Sequence, residues 1–360
     1  MGCFKQKNIL QILLAIPLAG IFWAVVSIRH LLYAWKIFKQ HEFDIPTICV
    51  GNLTVGGTGK TPHVQLLVKL LCEQDMKVAV LSRGYKRKSK GFLYVEENST
   101  AEQVGDEALQ VKRRYPQAAV AVCVDRVEGI RRLQKDNPDL QVVVLDDAFQ
   151  YRRVKAGLSI VLTTFDNLCT KDYMLPLGCL RDSNSQLPRA EIVIVTKCPR
   201  NLRPIDFNML EKDLKICPYQ RLFFSTYTSG KYVRLSTSKV EKSEQKNAIA
   251  LAGIAQPQPF FEGLKKEFEV VQTFKFPDHH HFGKSDIDRL ENALAVYPDS
   301  AVITTEKDAM RLTDTPMSNE LRNAIYYLPI SVEFLNDGKQ SFTQKIISYV
   351  RESKRIGCLY

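Results

Sequence analysis

Lys60 and Thr61 close residues 49–64, CVGNLTVGGTGKTPHV, and with the glycines before them they form a pattern suited to phosphate chemistry. Successive backbone N–H groups of such a loop, with the N-terminus of the following helix, make a concave anion site. Gly56, Gly57 and Gly59 permit positive φ and let the backbone approach a phosphate without an intervening Cβ. Lys60 can then reach the β- and γ-phosphates, and the Thr61 hydroxyl can ligate Mg²⁺. The stricter pattern has glycine where this chain has Thr54; Val55 and Thr58 complete the loop. A turn that only joined a strand to a helix would not call for the Lys-Thr pair. The expected ligand is ATP.

Further along, residues 141–145 (QVVVL) end in Asp146-Asp147. An apolar strand closing on an acidic pair downstream of a phosphate loop is suited to holding the Mg²⁺ shell, although a turn aspartate has the same local look. Asp106 opens a helical pattern where a first-turn carboxylate belongs, and capping alone would explain it. Arg83, Arg126 and Arg181 can pair a substrate phosphate or carboxylate through a bidentate fork. A structural salt bridge would account for each of them taken singly. Residues 274–282, FKFPDHHHF, hold three of the six histidines in one predicted loop. Loop histidines are commonly solvated, so the cluster by itself assigns no role. Residues 305–308 (TEKD) are candidate contacts for adenine or ribose.

These residues need a scaffold. Short apolar runs at 48–50, 77–81, 119–124, 141–145, 158–162 and 192–195 alternate with helical patterns, which predicts a doubly wound parallel sheet. The composition changes near residue 199, and new strands are predicted at 248–254 and 301–304. The expected organisation is α/β: an N-terminal hydrophobic helix (1–40), a P-loop NTPase-like parallel-sheet domain (41–200), a β linker (201–246), and a second, smaller α/β domain with the C-terminal tail (247–360).

The 360 residues carry 50 Lys+Arg against 39 Asp+Glu, a formal net charge of +11, which suits an anionic partner. No zinc finger, RNP-type aromatic motif or basic heptad region is present, so nucleic acid is not the expected partner. The nine cysteines contain no CxxC pair and read as reduced thiols. Residues 8–27 carry no charge, and about 20 helical residues reach about 30 Å, roughly a bilayer core. Trp23 and Tyr33 are placed to meet headgroups, and Lys5, Lys7, Arg29, Lys36 and Lys39 flank the stretch. Pro17 and Gly20 interrupt a spanning helix, and no small-residue cleavage site marks a signal peptide. A helix dipping into or lying against the cytoplasmic leaflet is the favoured reading, with a spanning helix and a buried core helix as the alternatives. The basic tail at 351–355 reads as a solvated helix end.

The segments GNLTVGGTGKTP, SRGY, VGDEA, DRVEG, LDDAFQ, RD(x)4LPRA, FPDHHHF and TTEKDAMRL occur in the order seen in tetraacyldisaccharide 4′-kinases, which the chain resembles from its apolar helix to about Leu312. Tyr151, Ala148 and Asp182 stand where many members have His, Gly and Glu, departures that bear on lipid contacts more than on the reaction. The resemblance implies ATP-dependent phosphorylation of the 4′-hydroxyl of a tetraacyl disaccharide 1-phosphate, a lipid A precursor, at the cytoplasmic face of the inner membrane. It implies Asp106 as the catalytic carboxylate with His279 as partner. Lys60 is the expected catalytic lysine on the phosphates, and Arg83, Arg126, Gln150 and Arg181 are the candidate substrate contacts. Thr61, Asp146 and Asp147 would hold Mg²⁺. The rival reading is a ParA/Mrp-like ATPase acting as a membrane-associated switch or carrier. Members of that class usually carry an extra lysine early in the loop, where position 55 here is Val.

Overall fold

The computed structural model describes residues 8–241 and 243–357, so Lys5 and Lys7 lie outside the described residues. Two mostly parallel sheets carry the molecule. The first has nine strands: β1 (Thr47–Asn52), β2 (Val78–Ser82), β3 (Leu93–Tyr94), β4 (Ala119–Val122), β5 (Val142–Asp146), β6 (Leu158–Thr164), β7 (Ile192–Thr196), β8 (Arg221–Ser229) and β14 (Ile330–Phe334). Their order is β14-β8-β7-β6-β1-β5-β2-β4-β3, with only β3 and β14 antiparallel to their neighbours. The second sheet holds β9 (Val233–Arg234), β10 (Asn247–Ala252), β11 (Glu269–Lys275), β12 (Ser300–Thr305) and β13 (Ile325–Leu328), in the order β11-β10-β12-β13-β9.

Every residue of β1, β2, β5 and β7 is buried. Helices cover both faces of such a sheet, so its strands read as continuous apolar runs and not as alternating ones. The helices that matter for the site are α1 (Ile9–Ala34), α2 (Lys60–Cys72), α3 (Asp106–Arg114), α4 (Arg126–Asp136), α5 (Glu306–Leu312) and α6 (Gly338–Gly357). On α2, Val64, Leu67, Val68 and Leu71 are at most 1% exposed and fix the helix against the first sheet; each such burial contributes about 1.5–3 kcal/mol. β14 pairs with β8, and Phe342 of α6 packs on Phe223 of β8, so the chain returns to the first sheet after building the second.

α1 differs from the rest. The most apolar 18-residue window within residues 11–34 has a mean hydropathy of 2.2, and only 17% of it is buried. The helix runs through Pro17 without ending. Ile9, Leu13, Leu14, Ile16, Leu18, Ile21, Val25 and Ile28 are exposed, while Ala15, Ala19, Val26, His30 and Tyr33 form a buried stripe along one face. Trp23 is also exposed, whereas Tyr33 is buried beneath the Arg152 guanidinium, 4.8 Å from its ring. Tyr33 therefore anchors the helix to the protein and does not face headgroups. The tail helix α6 reaches beyond residue 351, where Arg351 is exposed.

Candidate active site

The phosphate loop leaves β1 at Asn52, and that side chain braces it. Asn52 Nδ2 donates to Thr54 O (2.7 Å) and to Thr58 Oγ1 (2.9 Å), while Thr196 Oγ1 at the end of β7 donates to Thr58 O at 2.9 Å. Gly59 caps α2 in the left-handed region at φ +88°, and a Cβ there would fall 1.6 Å from the Tyr227 hydroxyl. Both backbone and packing therefore demand glycine. His63, one turn into α2, binds Gly59 O through Nδ1 (2.8 Å) and Ser225 Oγ through Nε2 (3.1 Å). Its burial pulls the imidazole down to about 4.

Lys60 extends between Asn52 Oδ1 (3.4 Å) and Asp147 Oδ1 (3.7 Å). Arg181 forks onto both oxygens of Asp147, with Nη1 3.1 Å from Oδ2, and also reaches Asn52 Oδ1. Burial raises the Asp147 carboxyl, yet Arg181 and Lys60 outweigh it and hold the group below the usual carboxylate range. Asp146 behaves oppositely. Burial first, then the charges of Glu107 and Asp147, push it up to about 7 against the opposing pull of Lys60 and Ser82. Ser82 Oγ, at the end of β2, donates to Asp146 Oδ2 at 3.2 Å, whereas Oδ1 is buried with no hydrogen-bond partner among the described residues. An orphaned carboxylate oxygen beside a phosphate loop fits a divalent cation, and Thr61 follows Lys60 in the first turn of α2, where that loop ends.

Asp106 is the first residue of α3, after Gly105 at φ +88°. It is 5% exposed, and its Oδ1 accepts the Glu107 N–H at 3.0 Å. Its other oxygen lies 2.9 Å from His279 Nδ1. His279 is held at φ +59°, with Lys307 Nζ 3.0 Å from its Nε2 and the Tyr85 ring 5.2 Å away, edge to face. Burial works to raise the Asp106 carboxyl; the His279 hydrogen bond and the charges of Lys307 and Arg311 prevail and set it below the ordinary range. Arg311 Nε lies 3.7 Å from Asp106 Oδ2, and the same guanidinium donates to Asp308 Oδ1 (2.6 Å) and to His280 O (3.0 Å). Glu306 takes Gln110 Nε2 at 2.7 Å and Arg114 Nη1 at 3.4 Å, which seats α5 on α3.

Arg126 is buried beside Tyr151, its guanidinium 5.3 Å from that ring, and Nη1 donates to Val124 O at 2.8 Å. Burial and the exposed Arg83 nearby lower it, so the two arginines sit close enough to repel each other. Two like charges held together make a place for an anion, with the charges of Asp146 and Asp147 also reaching Arg126. Gln150 Nε2 donates to Asn52 O at 2.7 Å, and its own carbonyl accepts Arg29 Nη2 at 2.6 Å, which links the phosphate loop to α1. One residue on, His30 Nε2 meets Asp182 Oδ1 at 2.6 Å, and Arg152 Nη1 donates to His30 Nδ1 at 2.9 Å.

The family described as tetraacyldisaccharide-1-P 4′-kinase matches residues 10–351 of this chain. The tetraacyldisaccharide 4′-kinase of Phocaeicola vulgatus is 42% identical over 94% of this chain and 95% of its own length. That of Flavobacterium johnsoniae is 45% identical over 94% of this chain and 96% of its own. The chain belongs to this family. A solved structure of LpxK from Aquifex aeolicus, described as an "apo" form in complex with ATP, superimposes with a TM-score of 0.73 at 26% identity, covering 93% of this chain and 98% of that one.

As a tetraacyldisaccharide 4′-kinase of lipid A biosynthesis, the chain brings its sequence-predicted residues into three groups. Lys60, Asp146, Asp147 and Arg181 surround the loop of residues 54–61, and Asp106 pairs with His279 next to them through Glu107. Arg83 and Arg126 form a third cluster, and Gln150 stands between the loop and α1. Residues 305–308 engage protein partners around Asp106 and Gly253. Asn52, Glu107, Lys307 and Arg311 were missed as individual residues. All four lie inside the quoted motifs, but a side chain that braces another leaves no signal in spacing.

Proposed function

We propose that this kinase transfers the γ-phosphoryl group of ATP to the 4′-hydroxyl of tetraacyldisaccharide 1-phosphate, with Asp106 accepting the hydroxyl proton and His279 holding Asp106 in place. The observation that carries this reading is the 2.9 Å contact between His279 Nδ1 and a buried Asp106, one residue from Glu107, whose charge reaches Asp146. The 4′-oxygen bonds to the γ-phosphorus, the bond from that phosphorus to the β–γ bridging oxygen breaks, and ADP leaves. Phosphoryl transfer asks the protein mainly for positioning and charge neutralisation. A sugar hydroxyl releases its proton late in such a loose transition state, so a well-placed carboxylate of low basicity can still serve, and a positioned base typically contributes about 10²–10⁴-fold.

Lys60 and the loop N–H groups would hold the β- and γ-phosphates. Thr61 and Asp146, with Asp147, would hold Mg²⁺, which when bound neutralises charge developing on the phosphate oxygens. Arg181 keeps Asp147 ionised and oriented. Arg83, Arg126 and Gln150 would face the lipid substrate. We further propose two hinged units, with residues 330–357 rejoining the first. The partners would be the lipid A precursor and the cytoplasmic face of the inner membrane, with no nucleic acid. The outward face of α1, apolar from Leu13 to Ile28, supports insertion into the leaflet over lying flat on it, since a flat helix would turn a polar face to water.

Purified enzyme with Mg²⁺ and ATP should release ADP in proportion to added tetraacyldisaccharide 1-phosphate. Turnover indifferent to the acceptor would overturn the proposal and return the ATPase-switch reading.

A further inference from the structure

Lys307 is fixed by three neighbours. Its Nζ lies 3.0 Å from His279 Nε2, 3.3 Å from Asp278 Oδ1 and 3.7 Å from Glu107 Oε1. An ammonium has donors only, so the close contact with Nε2 requires that nitrogen to present its lone pair. The other ring nitrogen faces a carboxylate oxygen and must therefore carry the proton. The two contacts together define one neutral tautomer, Nδ1–H.

We propose that Lys307 is a positioning residue for phosphoryl transfer: it locks His279 in the neutral Nδ1–H tautomer and keeps Asp106 ionised to receive the acceptor proton. This rests on the Asp106–His279 reading given above. Without Lys307, nothing would hold the Nε2 lone pair in place, and the Nε2–H tautomer, facing Asp278, would turn a bare nitrogen toward Asp106. Asp106 would at the same time lose a positive neighbour. The groups facing the pair are Lys307 and Arg311 from α5, Asp278 from the histidine loop, Glu107 from α3, and Tyr85 against the imidazole ring. Of these cations, Lys307 alone touches the ring nitrogen opposite the carboxylate. Arg311 is engaged by Asp308 and His280 O, so it supplies charge but cannot set the tautomer.

The position in the chain makes this arrangement selective. Lys307 sits in the first turn of α5, and α5 is seated on α3 by Glu306, Gln110 and Arg114. The lysine therefore arrives at His279 from a packed helix while the histidine comes from a loop. Assembly of the second sheet beside α3 brings base, orienting ring and ammonium together.

The test compares full-length Lys307→Met and Lys307→Arg with the parent enzyme in detergent micelles, using saturating Mg²⁺ with ATP and acceptor each varied through KM. Lys307→Met should lose about tenfold or more in kcat with the KM for ATP little changed, and the acidic limb of its kcat/KM profile should move up by roughly one pH unit. Lys307→Arg, which keeps the donor and the charge, should recover most of both. With ¹⁵N-labelled histidine, the His279 signal, assigned by its absence in His279→Gln, should report a protonated Nδ1 and a bare Nε2 in the parent. In Lys307→Met that signature should give way to a mixture in which Nε2 also carries the proton. An unmoved acidic limb and an unchanged ring signature, whatever the loss of rate, would overturn the proposal and leave Lys307 a packing residue. Parent-like kcat in Asp106→Asn and His279→Gln would instead remove the underlying pair, a result distinguishable because it does not involve Lys307.

Discussion

His279 Nδ1 and Asp106 Oδ2 stand 2.9 Å apart although 173 residues separate them in the chain. One comes from the loop after β11, in the second sheet, and the other opens α3 beside the first. The contact exists only when both units are built and α5 is seated on α3. Catalysis and the packing of the two units are thereby tied to the same few side chains.

Gly59 is the sharpest constraint in the phosphate loop. Replacing it with alanine would place a Cβ on the Tyr227 hydroxyl at a positive φ. Gly59→Ala should fold with a lowered Tm and lose the rise in Tm that ATP-Mg²⁺ gives the parent, which at 100-fold excess over Kd corresponds to about 2.7 kcal/mol. Thermal melts with and without nucleotide check this.

Burial of His63 lowers its imidazole to about 4 from 6.5, so the unfolded chain binds the extra proton across that window. Stability should therefore rise as pH goes from 4 to 6.5 and be fully present above it, on the order of 3 kcal/mol from this residue. His63→Gln should flatten the pH dependence of the urea midpoint between those limits. A slope equal to the parent's would show that His63 is not responsible.

Much of this was legible in the sequence, for identifiable reasons. The glycine loop, the strand ending in Asp146-Asp147 and the alternating apolar runs are local patterns, and local patterns survive in one dimension. The pairing of Asp106 with His279 was not derivable from spacing; it came from the resemblance to a family. Tyr33 was misplaced because an aromatic near an apolar stretch suggests headgroups, while its burial depends on Arg152, distant in the chain. Lys307 and Arg311 lie in a helix of ordinary composition, and only the fold reveals what they touch.

The two ends of α1 should separate on deletion. Removing residues 9–28 takes away the exposed apolar surface but leaves Arg29 bonded to Gln150 and His30 to Asp182. Such a protein should keep its ATP-dependent rise in Tm and lose binding to anionic vesicles in a flotation assay. His30→Ala in the full chain should instead bind vesicles normally and lose about 1–3 kcal/mol of stability, because it leaves Asp182 buried without this partner.

The most direct measurement of the central claim is steady-state phosphorylation of tetraacyldisaccharide 1-phosphate by Asp106→Asn, which keeps the shape of the side chain and removes its charge. The account predicts kcat lower by about 10²–10⁴-fold, with the KM for ATP within about twofold of the parent and the Tm retained. A kcat equal to the parent's would contradict it.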